Sequence, residues 1–288
     1  MAVTVVIPVW NGLEHVKANF PAVLALGANE IIAIDDASAD GVGDHIKKAF
    51  PQVKILTNVV NLRFPKSVNK AVKAASGDFI ILLNQDVLPD KHLLKNVFPH
   101  FSDSRVFAVT FNEQHQSWAK VEINNGRLEH INGELDNQIH HSFWASGAGS
   151  AFRKSVWREL GGFDETLTPG YSEDLDLGYR ARKRGYDILW EPRAIIFHTP
   201  ESAYRLALPE RTLRYIKERN FLLVQWKNFD LSNLLNHAIS LITYILKHPG
   251  FIVPVFMAAF HLPRVFLFRL KEKRFIKLSD SEVMKAIN

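Results

Sequence analysis

The chain contains no cysteine, which excludes a disulfide framework and any thiolate metal site and fits a reducing compartment. Long uninterrupted apolar runs are also missing. The most hydrophobic stretch, residues 249 to 263, is broken by Pro249, Pro254 and Pro263 and is too short for a comfortable membrane span. The first residues lack the basic start and apolar core of a signal peptide, so a cytoplasmic location is expected. Nor is the chain polar enough for disorder: 47% of its 288 residues are hydrophobic. That length suits one large α/β domain or a medium domain with an appendage.

The net charge is close to zero over most of the chain and concentrated at one place. The net charge is +5. The cations Arg264, Arg269, Lys271, Lys273, Arg274 and Lys277, set against Glu272, account for all of that excess. No nucleic-acid motif accompanies them, so nucleic acid is not an expected partner and an anionic membrane surface is.

What is present is an alternation. Val3 to Val9 is a β-branched strand that runs into the turn residues Asn11-Gly12, and a helix follows to about Leu26. Glu30 to Ile34 repeats the pattern, ending at Asp35-Asp36, with a helix from about Gly41 to Phe50 and a strand at Val53 to Thr57. A helix from Pro65 to Ala75 leads to Phe79-Ile-Ile-Leu-Leu and the polar tip Asn84-Gln85-Asp86. Strands alternating with helices predict a doubly wound parallel sheet, whose ligands gather beyond the strand C-terminal ends. Taken alone, Asn84-Gln85-Asp86 reads more simply as a turn capping the next helix.

A helix at about Lys91 to Phe98 and a strand at Val106 to Phe111 precede a looser region, Glu113 to Ser142, read as an insertion or β-ribbon flanking a cleft. Trp144 to Arg153 is a strand rich in small residues, and Lys154 to Leu160 is a helix ended by Gly161-Gly162. Glu173 and Asp174 open a further helix. Two short strands, Ile188 to Glu191 and Ala194 to His198, complete the sheet region. Leu231 to Lys247 follows amphipathic spacing, with Leu231, Leu234, Leu235, Ile239 and Ile242 opposite Ser232, Asn236, Ser240 and Thr243. With the apolar segment and basic run behind it, this reads as an interfacial membrane anchor, or as helices packed on the main domain or another subunit.

Several blocks share one order and spacing: Val5-Val6-Ile7-Pro8-Val9-Trp10-Asn11-Gly12, Ile34-Asp35-Asp36-Ala37-Ser38, Asn61 with Asn69, Gly77 to Asp86, Gly161-Gly162-Phe163-Asp164-Glu165, Glu173-Asp174-Leu175-Asp176-Leu177 with Arg180, and Arg219-Asn220. Over residues 3 to 226 they resemble the family 2 inverting glycosyltransferases. The resemblance implies a GT-A fold, with a Rossmann-like, mostly parallel sheet flanked by helices. It divides the chain into a catalytic domain, 1–226, and a C-terminal helical extension, 227–288, expected to associate with membrane. Asn84 in place of an acidic residue, together with His198, looks most like rhamnosyltransferase members of polysaccharide assembly. Arg63-Phe64 stands where many relatives have Gly-Phe.

The resemblance also implies roles. Pro8 and Val9 would line the nucleobase pocket, and Asp35 or Asp36 would accept from base or ribose. Asn61, Lys66 and Asn69 would close the nucleotide pocket, Lys66 as a phosphate contact suggested by its charge. Asn84 and Gln85 would flank the diphosphate, and Asp86 would bind Mn²⁺ or Mg²⁺, with His198 as a second ligand or diphosphate contact. Asp174 would be the general base, with Glu173 as the alternative. Trp144, Ser146 and Gly147 would flank the acceptor. The implied partners are a nucleoside-diphosphate sugar, a glycan or lipid-linked acceptor and the inner face of the cell membrane; a homo-oligomer is compatible. Two competing readings are a catalytically weak domain serving as a nucleotide-binding or scaffold subunit, motivated by Asn84, and a nucleotidyltransferase on a similar sheet.

Overall fold

The structure is a computed structural model, described over residues 1–114, 117–198 and 208–287. Strands β1 (Val3–Val9), β2 (Glu30–Asp35), β3 (Lys54–Thr57) and β4 (Phe79–Leu83) pair in parallel in the order β3-β2-β1-β4. Successive strands are joined by the crossover helices α1 (Leu13–Ala25), α2 (Val42–Ala49) and α3 (Phe64–Ala74). All five residues of β4 are buried, because the sheet is covered on both faces. Alternate residues go to opposite cores. Val5, Ile7, Ile81 and Leu83 pack with Phe20 of α1 and Ile46 of α2, while Val6, Ile80 and Leu82 pack with Val68 and Val72 of α3.

The other half of the sheet is mixed. Beyond the short strand β5 (Val87–Pro89) and helix α4 (Leu93–Val97), β6 (Val106–Glu113) continues the sheet; β10 (Gly149–Arg153) inserts antiparallel between it and β4. The two short strands expected before His198 are one strand, β11 (Asp187–His198), parallel to β6 and shifting register between Glu191 and Ile195, around Pro192. β5 pairs antiparallel with the end of β11, and β9 (His140–His141) adds to its other part. The loose region contains the expected ribbon, β7 (Ala119–Asn124) and β8 (Arg127–Asn132), turned by Asn125-Gly126 at positive φ.

Helix α5 (Lys154–Leu160) ends at Gly161 in the left-handed region, as the glycine pair predicts. Helix α6 (Glu173–Lys183) follows, then α7 (Glu210–Asn228), α8 (Leu231–Lys247), α9 (Ile252–Ala259), α10 (Leu262–Glu272) and α11 (Asp280–Lys285). A third core joins Leu222, Leu223 and Phe229 to Phe143, Tyr179, Ala258 and Val265. In α8 it is His237 that turns inward, contacting the Gly126 carbonyl through Nδ1 at 2.7 Å, while Leu231, Leu235, Ile239 and Ile242 face outward. The sequence pattern gave α8 an apolar face without saying that this face would stay uncovered.

Candidate active site

The C-terminal ends of β1, β2 and β4 open into a cleft of about 390 Å³. Among the sequence candidates, Pro8, Val9, Asp36, Asn61, Asn84, Gln85 and Asp86 line it, as do Ser146, Gly147, Glu173, Asp174 and His198. Among the described residues, all but one of the non-glycine residues at positive φ lie in loops around this edge: Asn11, Ala37, Arg63, Tyr171 and Ser172, the exception being Asn125 of the ribbon. Arg63 holds φ 72°, a conformation glycine takes readily.

Gln85 latches the first loop to the β4 tip. Its Oε1 accepts from the Trp10 amide at 2.9 Å, and its Nε2 donates to the Trp10 carbonyl at 3.2 Å. A side chain at Gly12 would put its Cβ 2.2 Å from Gln85 Oε1 and push Gln85 off its Trp10 bonds. Asp36 is buried and accepts from the Leu62 amide at 2.7 Å, the Arg63 amide at 2.8 Å and Asn58 Nδ2 at 2.8 Å. It shapes the Asn61 loop while still bordering the cleft. Asp35 is buried outside the cleft lining, accepts from the Ser38 amide at 2.9 Å and abuts Gly43.

Asp86 and His198 meet at the sheet edge because β5 and β11 pair there. Asp86 Oδ1 is buried without a hydrogen bond, 3.3 Å from His198 Nε2 and within ion-pair range. On the other ring nitrogen, His198 Nδ1 lies 2.5 Å from Glu113 Oε1. Burial disfavours the imidazolium, but Asp86 and Glu113 outweigh it and push the imidazole up to about 9. Among the described residues no three or more His, Asp or Glu side chains converge as a metal cage. The donor set fits a hard divalent cation that displaces the proton shared across this pair: a buried Asp86 oxygen that faces the His198 ring and accepts no hydrogen bond, and an imidazole fixed from behind by Glu113, with the remaining positions left to diphosphate and water.

At the opposite chemistry, α6 starts after two left-handed residues, Tyr171 and Ser172. Asn220, fully buried on α7, donates through Nδ2 to the carbonyls of Leu167, Gly170 and Tyr171 at 2.7 to 2.9 Å and holds this strained entry. Asp174 accepts from the Gly147 amide at 3.2 Å and the Leu175 amide at 2.8 Å. Burial raises its carboxyl, while the Leu175 and Gly147 amides hold it back. Glu173 has a buried oxygen without any partner, and burial followed by the charge of Asp174 pushes it up to about 8. Burial raises both adjacent carboxyls, which titrate as a pair; Asp174 is the one anchored on amides, and Glu173 has a buried oxygen with no donor.

Three other candidates lie outside the cleft lining. Lys66 sits half-buried in the first turn of α3. Asn69 clamps Phe163, donating to its carbonyl at 2.8 Å and accepting from its amide at 3.0 Å. Trp144 packs against Gly178 of α6 and the His130 ring, with centroids 4.7 Å apart. Sequence reasoning missed Glu113 and His130. Glu113 reaches His198 because β6 and β11 run in parallel, with Ile196 beside Glu113. His130 comes from the ribbon; burial lowers its imidazole, and the nearby Asp174 carboxyl only partly offsets that. Asn220 was visible as part of a motif, but its partners were not.

The model of Glycosyltransferase like family 2 matches residues 1–215. The pre-mycofactocin glycosyltransferase of Mycobacterium tuberculosis (strain ATCC 25618 / H37Rv) is 30% identical over 212 residues, covering 70% of this chain and 44% of that protein. The succinoglycan biosynthesis protein ExoA of Rhizobium meliloti (strain 1021) is 26% identical over 217 residues, 69% of this chain and 63% of ExoA. The chain thus spans about half the length of the curated relatives it matches. A crystal structure of GalNAc-T7 with UDP, GalNAc and Mn²⁺ superposes with a TM-score of 0.65 at 15% identity, covering 80% of this chain and 48% of that one, a likeness of fold.

Proposed function

The chain belongs to glycosyltransferase family 2, and from that premise we propose that it transfers a sugar from a nucleoside-diphosphate sugar to a hydroxyl of a glycan or lipid-linked acceptor in cell-surface polysaccharide synthesis, inverting the anomeric carbon. One observation carries this reading. A single cleft receives both the orphaned Asp86 oxygen beside His198 and the Asp174 carboxylate held on the Gly147 amide. The first pair suits a diphosphate leaving group and the second suits an attacking hydroxyl.

Asp174 takes the proton of the acceptor hydroxyl as that oxygen attacks the face opposite the leaving diphosphate; one displacement inverts the centre. The amides of Gly147 and Leu175 fix the direction of its oxygens. Glu173, neutral at pH 7, is not the acceptor of that proton and keeps a second negative charge away from the base. Pro8, Val9 and the Gln85-latched Trp10 loop seat the nucleobase, and Asp36 retains lone pairs for the ribose. Asp86 and His198 would hold a divalent cation, Mn²⁺ or Mg²⁺, which when bound neutralises the departing diphosphate. The Mn²⁺ and UDP bound to GalNAc-T7, and ExoA's part in succinoglycan biosynthesis, support this chemistry.

The test is a thermal-shift series of nucleoside diphosphates with and without Mn²⁺, followed by NMR of the product anomer. A productive base is expected to stabilise the fold by about 2.7 kcal/mol at a hundredfold excess over Kd. Replacing Asp86 or His198 by Ala is expected to remove the Mn²⁺ increment. Retention of anomeric configuration would overturn the single-displacement mechanism.

A further inference from the structure

Consecutive helices at the C-terminal end carry apolar side chains that no described part of the chain covers. Along α8, Leu231, Leu235, Ile239, Ile242 and Leu246 form one stripe, each more than half exposed. Around α9 and α10, Phe256, Phe260, Phe266, Leu267 and Leu270 are open as well, Phe260 to 85%. Single exposed apolar residues are ordinary on a protein surface; successive ones mark a contact face. The charge beside them has one sign. Arg264, Lys271, Lys273, Arg274 and Lys277 are exposed, whereas the segment's acid, Glu272, is buried against Arg184 at 2.6 Å.

No single helix among the described residues is long and apolar enough to cross a membrane, although residues 249–259 and 262–272, bent by 61°, pass that test as a pair. The pair is fastened along the domain. Ala258 and Val265 belong to the core of Leu222 and Leu223, Arg269 donates to the Trp226 carbonyl at 2.8 Å, and Glu272 closes on Arg184. Crossing a bilayer would break all of these contacts.

We propose that the outer faces of α8, α9 and α10 dock on the surface of an anionic lipid bilayer, inserting the apolar stripe to headgroup depth while the cations meet lipid charge. A second copy of the chain is a poorer occupant, since it would set like charges against one another.

The experiment is flotation of the whole chain with vesicles of equal phosphatidylglycerol and phosphatidylcholine, and with phosphatidylcholine alone. Wild type is expected to float with the anionic vesicles and to lose binding as salt rises. Ile239→Glu/Ile242→Glu is expected to lower binding about a hundredfold, at roughly tenfold per isoleucine. Lys271→Glu/Arg274→Glu is expected to lower it about fivefold per residue on anionic vesicles only. Melting temperature and the nucleoside-diphosphate shift should stay unchanged in both. Should the first variant fold poorly, the charge-reversal pair and the salt series answer the same question. Absence of flotation by wild type, equal flotation of a folded Ile239→Glu/Ile242→Glu, or a lipid-free dimer that this variant dissolves would each overturn the proposal.

Discussion

At the first turn of α6, Glu173 keeps a buried oxygen without a partner and Asp174 rests on backbone amides. Further along the same helix Asp176, Arg180, Lys183 and Arg184 are as deeply buried, and each meets an opposite charge. Arg180 pairs with Asp176 at 2.8 Å, Lys183 with Asp280 at 2.7 Å and Arg184 with Glu272 at 2.6 Å. Lys227 of α7 closes on Asp164 and on Asp176, and with burial opposing it Lys227 still holds the Asp164 carboxyl far below the usual range. A buried charge left unpaired is costly, so the contrast separates the end proposed to move a proton from the end that is locked by ion pairs.

Several substitutions break or sharpen that contrast. The largest effect is expected from Asp174→Asn: transfer should fall about 10³-fold with no loss of melting temperature, because an unpaired charge is removed. Full activity would sink the assignment of the base. At the paired end, Lys227→Met leaves Asp164 and Asp176 without their shared cation and should cost about 3–5 kcal/mol in denaturant unfolding. A loss below about 1 kcal/mol would show that this end is not held electrostatically.

Glu173 gives the pH dependence. Its folded value of about 8 lies above its ordinary 4.5, so the fold favours the neutral acid. That contribution is whole below about pH 4.5 and disappears as pH rises to about 8. Glu173→Gln should therefore flatten the stability profile across this window and stabilise the protein by roughly 2–4 kcal/mol at alkaline pH. An unchanged slope would place the unpaired charge elsewhere. The smallest effect is expected from Asn220→Ala, which frees the carbonyls of Leu167, Gly170 and Tyr171: about 1–2 kcal/mol, with a drop in kcat as the Tyr171-Ser172 entry relaxes. If kcat stayed level, the strained entry would have no part in placing Asp174.

Much of this was legible in the sequence where chemistry is local. The bounds of β1, α5 and α8 coincide with those the residue pattern predicts, and Asp86 and Asp174 stand at a strand tip and a helix start as expected. What escaped depends on distant registration. β10 reads as a strand, but its antiparallel direction is set by the long route of the chain from β6. Glu113 reaches His198 only through the β6–β11 pairing, and His130 reaches the Asp174 neighbourhood only because the ribbon folds back over Trp144. Asn69 belongs to a conspicuous motif, yet its amide serves Phe163. Periodicity in α8 reveals a stripe but not which side of the helix the protein leaves open.

The ion pairs that fasten α6 to the last helices bear on how the tail can be removed. A fragment ending at Phe229 would lose Asp230, Glu272 and Asp280 together, leaving the buried Lys183 ammonium without a counter-ion, the Tyr179 hydroxyl without its acceptor and Arg184 with Glu159 alone. Truncation therefore disturbs the interior beneath α6 as well as the outer face. Side-chain replacements on that outer face are the gentler instrument, because they leave the underside of the tail joined to the helix that carries the proposed base.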